Sequence, residues 1–281
     1  MTTTQTIKIE PTHPAVGALV TGVDLRCPIE PDVADELRAA FARHAVLCVP
    51  GQTLEAGHQV EFAAVFGPVD DDDRQLDDPN QTQSRPGVMY VSNIREDGKL
   101  IGVLPDGEMH FHSDGMHRDN PYRATSLYAI KVPSHGGNTL FSSQAAAYEG
   151  LPCHMQRRLD GLQGRHVFNY NKTTRADMHT DPNETAFAIH PLVRTHPDSG
   201  RKSLYLSRLM THNIVGLEGA EGEELLLELI DHCEKPEFVY SHKWTPNDLV
   251  IWDNRCVNHA RTDFSADEPR LLRRYTVSEP A

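Results

Sequence analysis

The sequence lacks any long apolar run, so it offers no segment with the length and hydropathy of a membrane helix. Its first residues, Met1 to Thr6, lack the basic and apolar regions of a signal peptide. Cysteine is sparse: the five cysteines are widely spread and form no Cys-x-x-Cys pair, which argues against disulfides and zinc knuckles. We therefore expect reduced thiols, a cytoplasmic location and no membrane partner.

Basic residues are also in deficit, with 27 Lys and Arg against 40 Asp and Glu and a formal net charge of −13. Nucleic acid is therefore an unexpected partner, because phosphate binding needs a basic surface. A small anionic substrate stays open, since a few buried arginines can set the local potential. The 281 residues, 38% of them hydrophobic, show no repeat or linker that would divide them. We expect one domain spanning residues 1–281.

The hydrophobic pattern indicates many short strands and a few helices. Val33, Leu37 and Phe41 recur at intervals of four and predict a helix over residues 31–44. Further helices are predicted over residues 55–66, 144–149, 153–159 and 220–233, and strands over 6–10, 18–23, 45–49, 89–93, 124–132, 138–142, 165–171, 204–207, 237–244, 248–253 and 271–277. This pattern favours an α+β, mainly β, barrel-like domain with helical cover.

Residues 70–87 are polar, rich in turn formers and begin with four consecutive aspartates. A calcium loop would need alternating ligands and a distal glutamate, which this stretch lacks. Two interpretations remain: a solvated, mobile loop, or a lid that closes over an active site.

His112 and Asp114 form the first chemical signal. Two residues apart in an extended strand, their side chains point to one face. With a distant histidine, His259, they would form the two-histidine, one-carboxylate set that holds Fe(II) and leaves three positions open. Because short His/Asp pairs are common and the chain has 16 histidines, spacing must select the ligands. His110 and His117 are rival candidates.

Four motifs occur in order: His112-Ser113-Asp114, the turn and strand Gly136–Phe141, the segment Trp252–His259, and Arg270–Arg274, where Arg270 follows His259 by eleven residues. Together they resemble the taurine/2,4-D dioxygenase family of Fe(II)- and 2-oxoglutarate-dependent oxygenases. The opening elements, Val20–Leu25 and Phe62–Pro68, are similar to that family as well.

The resemblance implies a double-stranded β-helix, the jelly-roll or cupin-like barrel, with flanking helices. It implies Fe(II) held by His112, Asp114 and His259, with 2-oxoglutarate and O2 at the open positions. Arg270 matches the family position that grips the far carboxylate of 2-oxoglutarate, for which a planar guanidinium is suited, and Thr139 matches the assisting hydroxyl. Trp252 would adjoin the cofactor site.

Each of these residues also has a structural interpretation. Arg270 and Arg274 could be surface charges, Thr139 an ordinary β-branched strand residue, and Trp252 a core residue beside the iron. The rival class is a cupin-like metal protein without oxygenase activity, such as an isomerase or a small-molecule binder. Arg270 and Thr139 discriminate between the two, because such a protein needs no carboxylate clamp.

The substrate end departs from the taurine-oxidising members. Phe111 replaces the usual tryptophan before the first histidine, and Glu108 stands where those members carry a substrate-contacting asparagine. The C-terminal third looks more like the aryloxyalkanoate-oxidising members. The expected reaction is hydroxylation, or oxidative cleavage, of a small anionic molecule such as an aryloxyalkanoate or a sulfonate. Arg274 and Asn93 are the candidate substrate ligands, and a homo-oligomer, dimer or tetramer, is expected.

Overall fold

The structure is a computed structural model that describes residues 6–70, 88–103, 107–168, 185–217 and 219–279. The predicted lid over residues 70–87 lies almost wholly outside the described residues.

The described residues contain five α-helices. They are α1 (Pro31–His44), α2 (Ala56–Ala64), α3 (Gln144–Glu149), α4 (Cys153–Arg158) and α5 (Ala220–Cys233), and a short 3-10 turn spans Pro236–Phe238. Helix α1 begins at Pro31, whose fixed φ suits a first helical position, and ends at Ala45 in the left-handed conformation with φ 59°.

Strands make up most of the remaining regular structure. They are β1 (Lys8–Pro11), β2 (Ala18–Thr21), β3 (Val46–Val49), β4 (Met89–Ser92), β5 (Arg95–Glu96), β6 (Lys99–Leu100), β7 (Met109–His112), β8 (Ala124–Lys131), β9 (Thr139–Ser143), β10 (Gln163–Val167), β11 (Phe187–Pro191), β12 (Val193–Thr195), β13 (Lys202–Leu204), β14 (Thr211–Ile214), β15 (Val239–His242), β16 (Leu249–Asp253), β17 (Val257–Arg261) and β18 (Leu271–Val277).

Two sheets form the centre of the molecule. The larger has the strand order β1-β2-β3-β16-β8-β18-β4 and the smaller the order β15-β9-β17-β7. In both, every pairing is antiparallel except that of β2 with β3. Within the described residues no strand pairing joins the two sheets into a closed barrel.

Strand β16 shows how the core is divided between the two faces of the larger sheet. Val250 and Trp252 belong to the cluster that also contains Phe141 of the smaller sheet, whereas Leu249 and Ile251 join the cluster that contains residues of α1 and α2. Both faces are therefore buried, which explains why this strand reads as a continuous apolar run.

Several predicted elements are confirmed with their ends, namely helices α1, α3 and α5 and strand β18. Strand β17 was not predicted, because its sequence places His259 and Arg261 where an apolar alternation would be expected. One expectation about the metal strand is corrected. Strand β7 ends at His112, so Asp114 lies beyond it, in the turn that follows.

Candidate metal centre and cosubstrate pocket

Strands β7 and β17 are neighbours, and their register places His112 opposite His259. The two imidazole rings lie with centroids 4.1 Å apart, and Nε2 of His259 lies 4.0 Å from Oδ2 of Asp114. One potential ligand atom from each of the three residues lies within 4.8 Å of the others. The structure thus brings together the three residues that the sequence selected.

His112 is held in a defined tautomer. Its Nδ1 lies 2.9 Å from the carbonyl oxygen of His110, and because a carbonyl only accepts, Nδ1 must carry the hydrogen. The lone pair is then on Nε2, the arrangement common in metal-bound histidines. Burial lowers the pKa of His112, so its imidazole is neutral and able to donate a lone pair to a metal.

The second imidazole is also neutral. Burial, and then the nearby His112, lower the pKa of His259 to about 3. Its Nδ1 is buried without a hydrogen-bond partner among the described residues. The ring packs on Trp252, with centroids 4.6 Å apart, and this contact limits the ring's rotation.

Asp114 is ionised although it is buried. Burial acts to raise the pKa of this carboxyl, but Arg274, His259, His112 and the hydroxyl of Thr125 together hold the pKa well below its usual range. Nη2 of Arg274 lies 3.0 Å from Oδ1, and the Thr125 hydroxyl donates to Oδ2 over 2.6 Å.

Two neutral imidazoles and one carboxylate gathered on one side match the donor set of non-heme Fe(II) sites. The three residues therefore fit a divalent metal. Neither rival histidine belongs to this group: the described residues contain three groups of potential metal ligands, one of them His112, Asp114 and His259, and none includes His110 or His117.

Arg270 is a buried cation of unusual environment. Its side chain is 2% exposed, and its Nε and Nη1 atoms have no hydrogen-bond partner within the described parts of the chain. Burial, and then the charge of Arg261, lower the pKa of Arg270 to about 9. An unpaired buried guanidinium is costly, so the site fits a carboxylate such as that of 2-oxoglutarate.

Gly137 lies close to Arg270, and Thr139 begins strand β9 two residues later. The Thr139 hydroxyl oxygen accepts from Nε1 of Trp244 over 2.9 Å, which leaves its hydrogen for an acceptor such as a carboxylate. A Cβ at Gly137 would lie 3.6 Å from Nε of Arg270. Strand β9 thus begins beside the arginine that the sequence assigned to the cosubstrate.

Asn93 and Trp252 occupy structural positions. The Asn93 amide donates to the carbonyl of Glu268 over 2.9 Å and accepts from the backbone N–H of Arg270 over 2.8 Å, so it fixes the segment that carries Arg270. Trp252 donates from Nε1 to Oδ1 of Asn254 over 3.0 Å. The substrate role of Asn93 and the cofactor role of Trp252 stay predictions, as does that of Arg274.

The sequence did not single out Thr125 or Asn254. Both are fully buried, and the Asn254 amide donates to the Thr125 hydroxyl over 3.0 Å. Asn254 follows Trp252 by two residues and lies inside the Trp252–His259 motif, so its position in that motif could have identified it from the sequence. Thr125 lies in an ordinary-looking strand, where no sequence feature distinguishes it.

Comparison with known proteins agrees with this geometry. The family "Taurine catabolism dioxygenase TauD, TfdA family" matches residues 8–276. The chain belongs to the TauD/TfdA family. Among its relatives, an alpha-ketoglutarate-dependent 2,4-dichlorophenoxyacetate dioxygenase from Cupriavidus pinatubonensis is 35% identical over 283 residues, 96% of this chain and 97% of the relative.

Two further TauD/TfdA proteins extend the comparison. A (S)-phenoxypropionate/alpha-ketoglutarate-dioxygenase from Sphingobium herbicidovorans is 33% identical over 285 residues, 94% of this chain and 92% of the relative. The crystal structure of AAD-2 in complex with Mn(II) and N-oxalylglycine superposes with a TM-score of 0.79 at 33% identity, covering 98% of each chain.

Membership of the TauD/TfdA family confirms several expectations. The enzyme class is that of Fe(II)- and 2-oxoglutarate-dependent dioxygenases, which use O2, and the non-oxygenase alternative is not supported. The jelly-roll fold is likewise confirmed. No helix in the described parts of the chain combines the length and hydropathy that crossing a bilayer requires.

Proposed function

We propose that this dioxygenase hydroxylates an aryloxyalkanoate at the carbon that carries the ether oxygen. The hydroxylated carbon then expels the aryl oxide: its C–O bond to the ring oxygen breaks, the phenol takes up the hydroxyl proton and the carbon becomes the carbonyl of an oxo acid. Bound Fe(II) supplies the chemistry that couples this hydroxylation to conversion of 2-oxoglutarate and O2 into succinate and CO2.

The observation that carries the cosubstrate assignment is the burial of Arg270, whose Nε and Nη1 find no hydrogen-bond partner among the residues that the structure describes. A guanidinium presents two parallel N–H groups to a carboxylate, and such pairs gain strength where water is excluded. Thr139 has a hydroxyl hydrogen free to join them. We assign Fe(II) to His112, Asp114 and His259, whose neutral imidazoles and ionised carboxylate are the required ligand forms.

Arg274 supports an anionic substrate. Its Nη1 contacts the thioether sulfur of Met89 at 3.0 Å, and a thioether is a weak acceptor. A substrate carboxylate would replace that contact with a charge-assisted hydrogen bond. Apolar side chains also lie on the metal-bearing strand: Met109 of β7 packs against a small cluster that includes Met116 and Tyr205, and such a surface suits an aryl ring.

Two relatives act, by their names, on 2,4-dichlorophenoxyacetate and on (S)-phenoxypropionate, and their identities support the aryloxyalkanoate class over a sulfonate. We further propose a single-domain, cytoplasmic homo-oligomer. All five cysteines are free, in keeping with a reducing compartment. Phe187 and Ile189, 38% and 40% exposed on one face of β11, are candidates for an interface between copies.

The test is a coupled turnover assay. The enzyme is loaded with Fe(II) and 2-oxoglutarate under anaerobic conditions, mixed with a candidate acid and exposed to air, and succinate and phenol are measured. With phenoxyacetate or either enantiomer of phenoxypropionate we expect equal amounts of both products. Stoichiometric turnover of taurine or an alkyl sulfate, with no phenol from any aryloxy acid, would contradict the proposal.

A further inference from the structure

We propose that Thr125 and Asn254 are positioning residues that orient the carboxylate of Asp114 toward the metal. The proposal rests on the assignment of Asp114 as an iron ligand. It concerns a chain of four buried side chains, Trp252, Asn254, Thr125 and Asp114, which we name the carboxylate relay.

The relay is continuous and buried. Nε1 of Trp252 lies 3.0 Å from Oδ1 of Asn254, Nδ2 of Asn254 lies 3.0 Å from Oγ1 of Thr125, and that hydroxyl lies 2.6 Å from Oδ2 of Asp114. No member is more than 3% exposed. Hydrogen bonds in such surroundings are strong, and a missing partner is correspondingly costly.

The direction of every hydrogen bond in the relay is determined. An indole N–H only donates, so the Asn254 atom that faces Trp252 must be the amide oxygen. The NH2 group therefore faces Thr125 and donates to it. The Thr125 hydroxyl, which accepts from Asn254, has one hydrogen left and directs it at Asp114. The carboxylate must accept, which is its role when ionised.

The relay acts on the oxygen that faces the metal site. Oδ2 of Asp114 is the oxygen 4.0 Å from Nε2 of His259, whereas Oδ1 pairs with Arg274. With a fixed donor at each oxygen, rotation of the carboxylate about its last bond is opposed. Thr125 therefore selects which lone pairs of Oδ2 remain for a metal ion.

This support is needed because Asp114 has no strand ladder to hold it. Strand β7 ends at His112, and the turn beyond is tied down by Asn254 itself. The Ser113 hydroxyl donates to the backbone carbonyl of Asn254 over 2.7 Å, and the backbone nitrogen of Asp114 lies 3.4 Å from Oδ1 of Asn254.

The relay is also anchored on rigid elements. Trp252 and Thr125 are directly opposite each other in the pairing of β16 with β8, both central strands of the larger sheet. The position of Asp114, which lies in a turn, is thereby fixed by hydrogen bonds to side chains of the larger sheet. Metal sites commonly depend on such supporting hydrogen bonds, whose loss lowers metal affinity about 10- to 100-fold.

The test measures binding of Co(II), a spectroscopic substitute for Fe(II), to the ligand-free enzyme. Thr125→Val keeps the shape of the side chain and removes the hydroxyl, so we expect the Kd for Co(II) to rise about 10- to 100-fold and the visible Co(II) absorption bands to shift. Thr125→Ser retains the donor and should restore both the affinity and the spectrum. A purely structural role would lower the Tm without moving these two readouts.

Thr211→Val is the matched control. Thr211 is also buried and its hydroxyl also hydrogen bonds, to Nδ1 of His166 and to the backbone N–H of Ser207, but it lies in a separate three-stranded sheet formed by β11, β10 and β14. Because that three-stranded sheet is separate from the sheet that carries His112 and His259, this variant should lose stability and keep the wild-type Co(II) affinity and spectrum.

The outcomes separate the two proposals. If Asp114→Ala binds Co(II) as tightly as the wild type, the iron-ligand assignment is wrong. If Asp114→Ala abolishes binding while Thr125→Val matches the wild type in Kd and spectrum, the ligand assignment stands and the relay is overturned. Should Thr125→Val fail to fold, Thr125→Ala decides: weaker binding that Thr125→Ser restores supports the relay, and unchanged binding overturns it.

Discussion

Nη2 of Arg274 lies 3.0 Å from Oδ1 of Asp114, so a candidate substrate residue and a candidate metal ligand form one ion pair. Both side chains are buried, at 8% and 3% exposure. Breaking a buried pair from one side leaves the other charge without compensation. The effects of substituting Arg274 on substrate binding and on metal binding must therefore be measured separately.

Replacing Arg274 by alanine should raise the KM for an anionic substrate far more than the KM for 2-oxoglutarate, because the charge that meets the substrate carboxylate is lost. Metal affinity should also fall, since Asp114 loses a partner. Steady-state kinetics in each substrate and Co(II) titration provide the two readouts. Unchanged KM values with weakened metal binding would show that Arg274 serves Asp114 alone.

Replacing Arg270 by alanine should raise the KM for 2-oxoglutarate by about 1.5 to 3.5 orders of magnitude, since truncating a buried charge pair costs about 2–5 kcal/mol. Metal binding should be nearly unchanged. Arg270→Lys should be only partly active, because an ammonium cannot form the two parallel hydrogen bonds of a guanidinium. Equal loss of metal and 2-oxoglutarate binding would make Arg270 a structural residue.

In the ligand-free protein, removing the charge of Arg270 should raise the stability, whereas in the working enzyme it impairs 2-oxoglutarate binding. Arg270→Met keeps the side chain's approximate volume and removes a buried, incompletely paired charge, so the free energy of unfolding should rise by about 1–3 kcal/mol. Urea unfolding of the metal-free and cosubstrate-free enzyme measures it. N-oxalylglycine, the amide isostere of 2-oxoglutarate, should stabilise the wild type and leave the variant unaffected.

Alanine at His112 or His259 should abolish binding of one divalent ion per chain, because each removes an imidazole that cannot be replaced nearby. Alanine at His110 should preserve binding, since His110 contributes its backbone carbonyl to His112 rather than its side chain. Co(II) titration by calorimetry checks both. Loss of the bound ion in His110→Ala at an unchanged Tm would mean that the side chain of His110 is a metal ligand and that the assignment of His112 is wrong.

A histidine outside the metal centre should contribute to a loss of stability in mild acid. Burial, then His190 and Arg194, lower the pKa of His166 to about 3, whereas an unfolded chain has a histidine pKa near 6.5. Below about pH 6.5 the unfolded chain binds the extra proton, so His166 costs about 1.4 kcal/mol for each pH unit down to its folded pKa.

Unfolding by urea between pH 7 and pH 4.5 measures that slope. In His166→Phe the dependence should be shallower by one proton's contribution, whereas His154→Gln, at an exposed position on α4, should follow the wild type. A His166→Phe slope equal to that of the wild type would mean that other groups cause the acid sensitivity.

Much of the site was predictable because its chemistry imposes residue types at fixed spacing. The ligands and Arg270 were selected from four short motifs, although Asp114 lies in a turn after β7 rather than on the expected strand and β17 was not predicted. There the inward positions of His259 and Arg261 interrupt the apolar alternation by which strands are recognised. The polar residues that give β17 its place in the candidate site are therefore the same residues that obscured the strand in the sequence.

The supporting contacts were not predictable. Thr125 contacts Asp114 and Asn254 only because β8, β16 and the turn after β7 lie close together in the fold. No local sequence pattern predicts that proximity. Arg274 illustrates the same limit: its position in β18 was predicted, but its ion pair with Asp114 depends on the packing of strands distant in sequence.

The pairing of His112 with His259 across β7 and β17 also constrains when the metal can bind during folding. The two histidines are more than a hundred residues apart in the chain, and closing so long a loop precedes any contact between them. A nascent chain that has emerged only through β16 holds two of the three ligands and no Arg270. The three-ligand site is therefore completed only when β17 joins β7, so metal occupancy reports that this late pairing has formed.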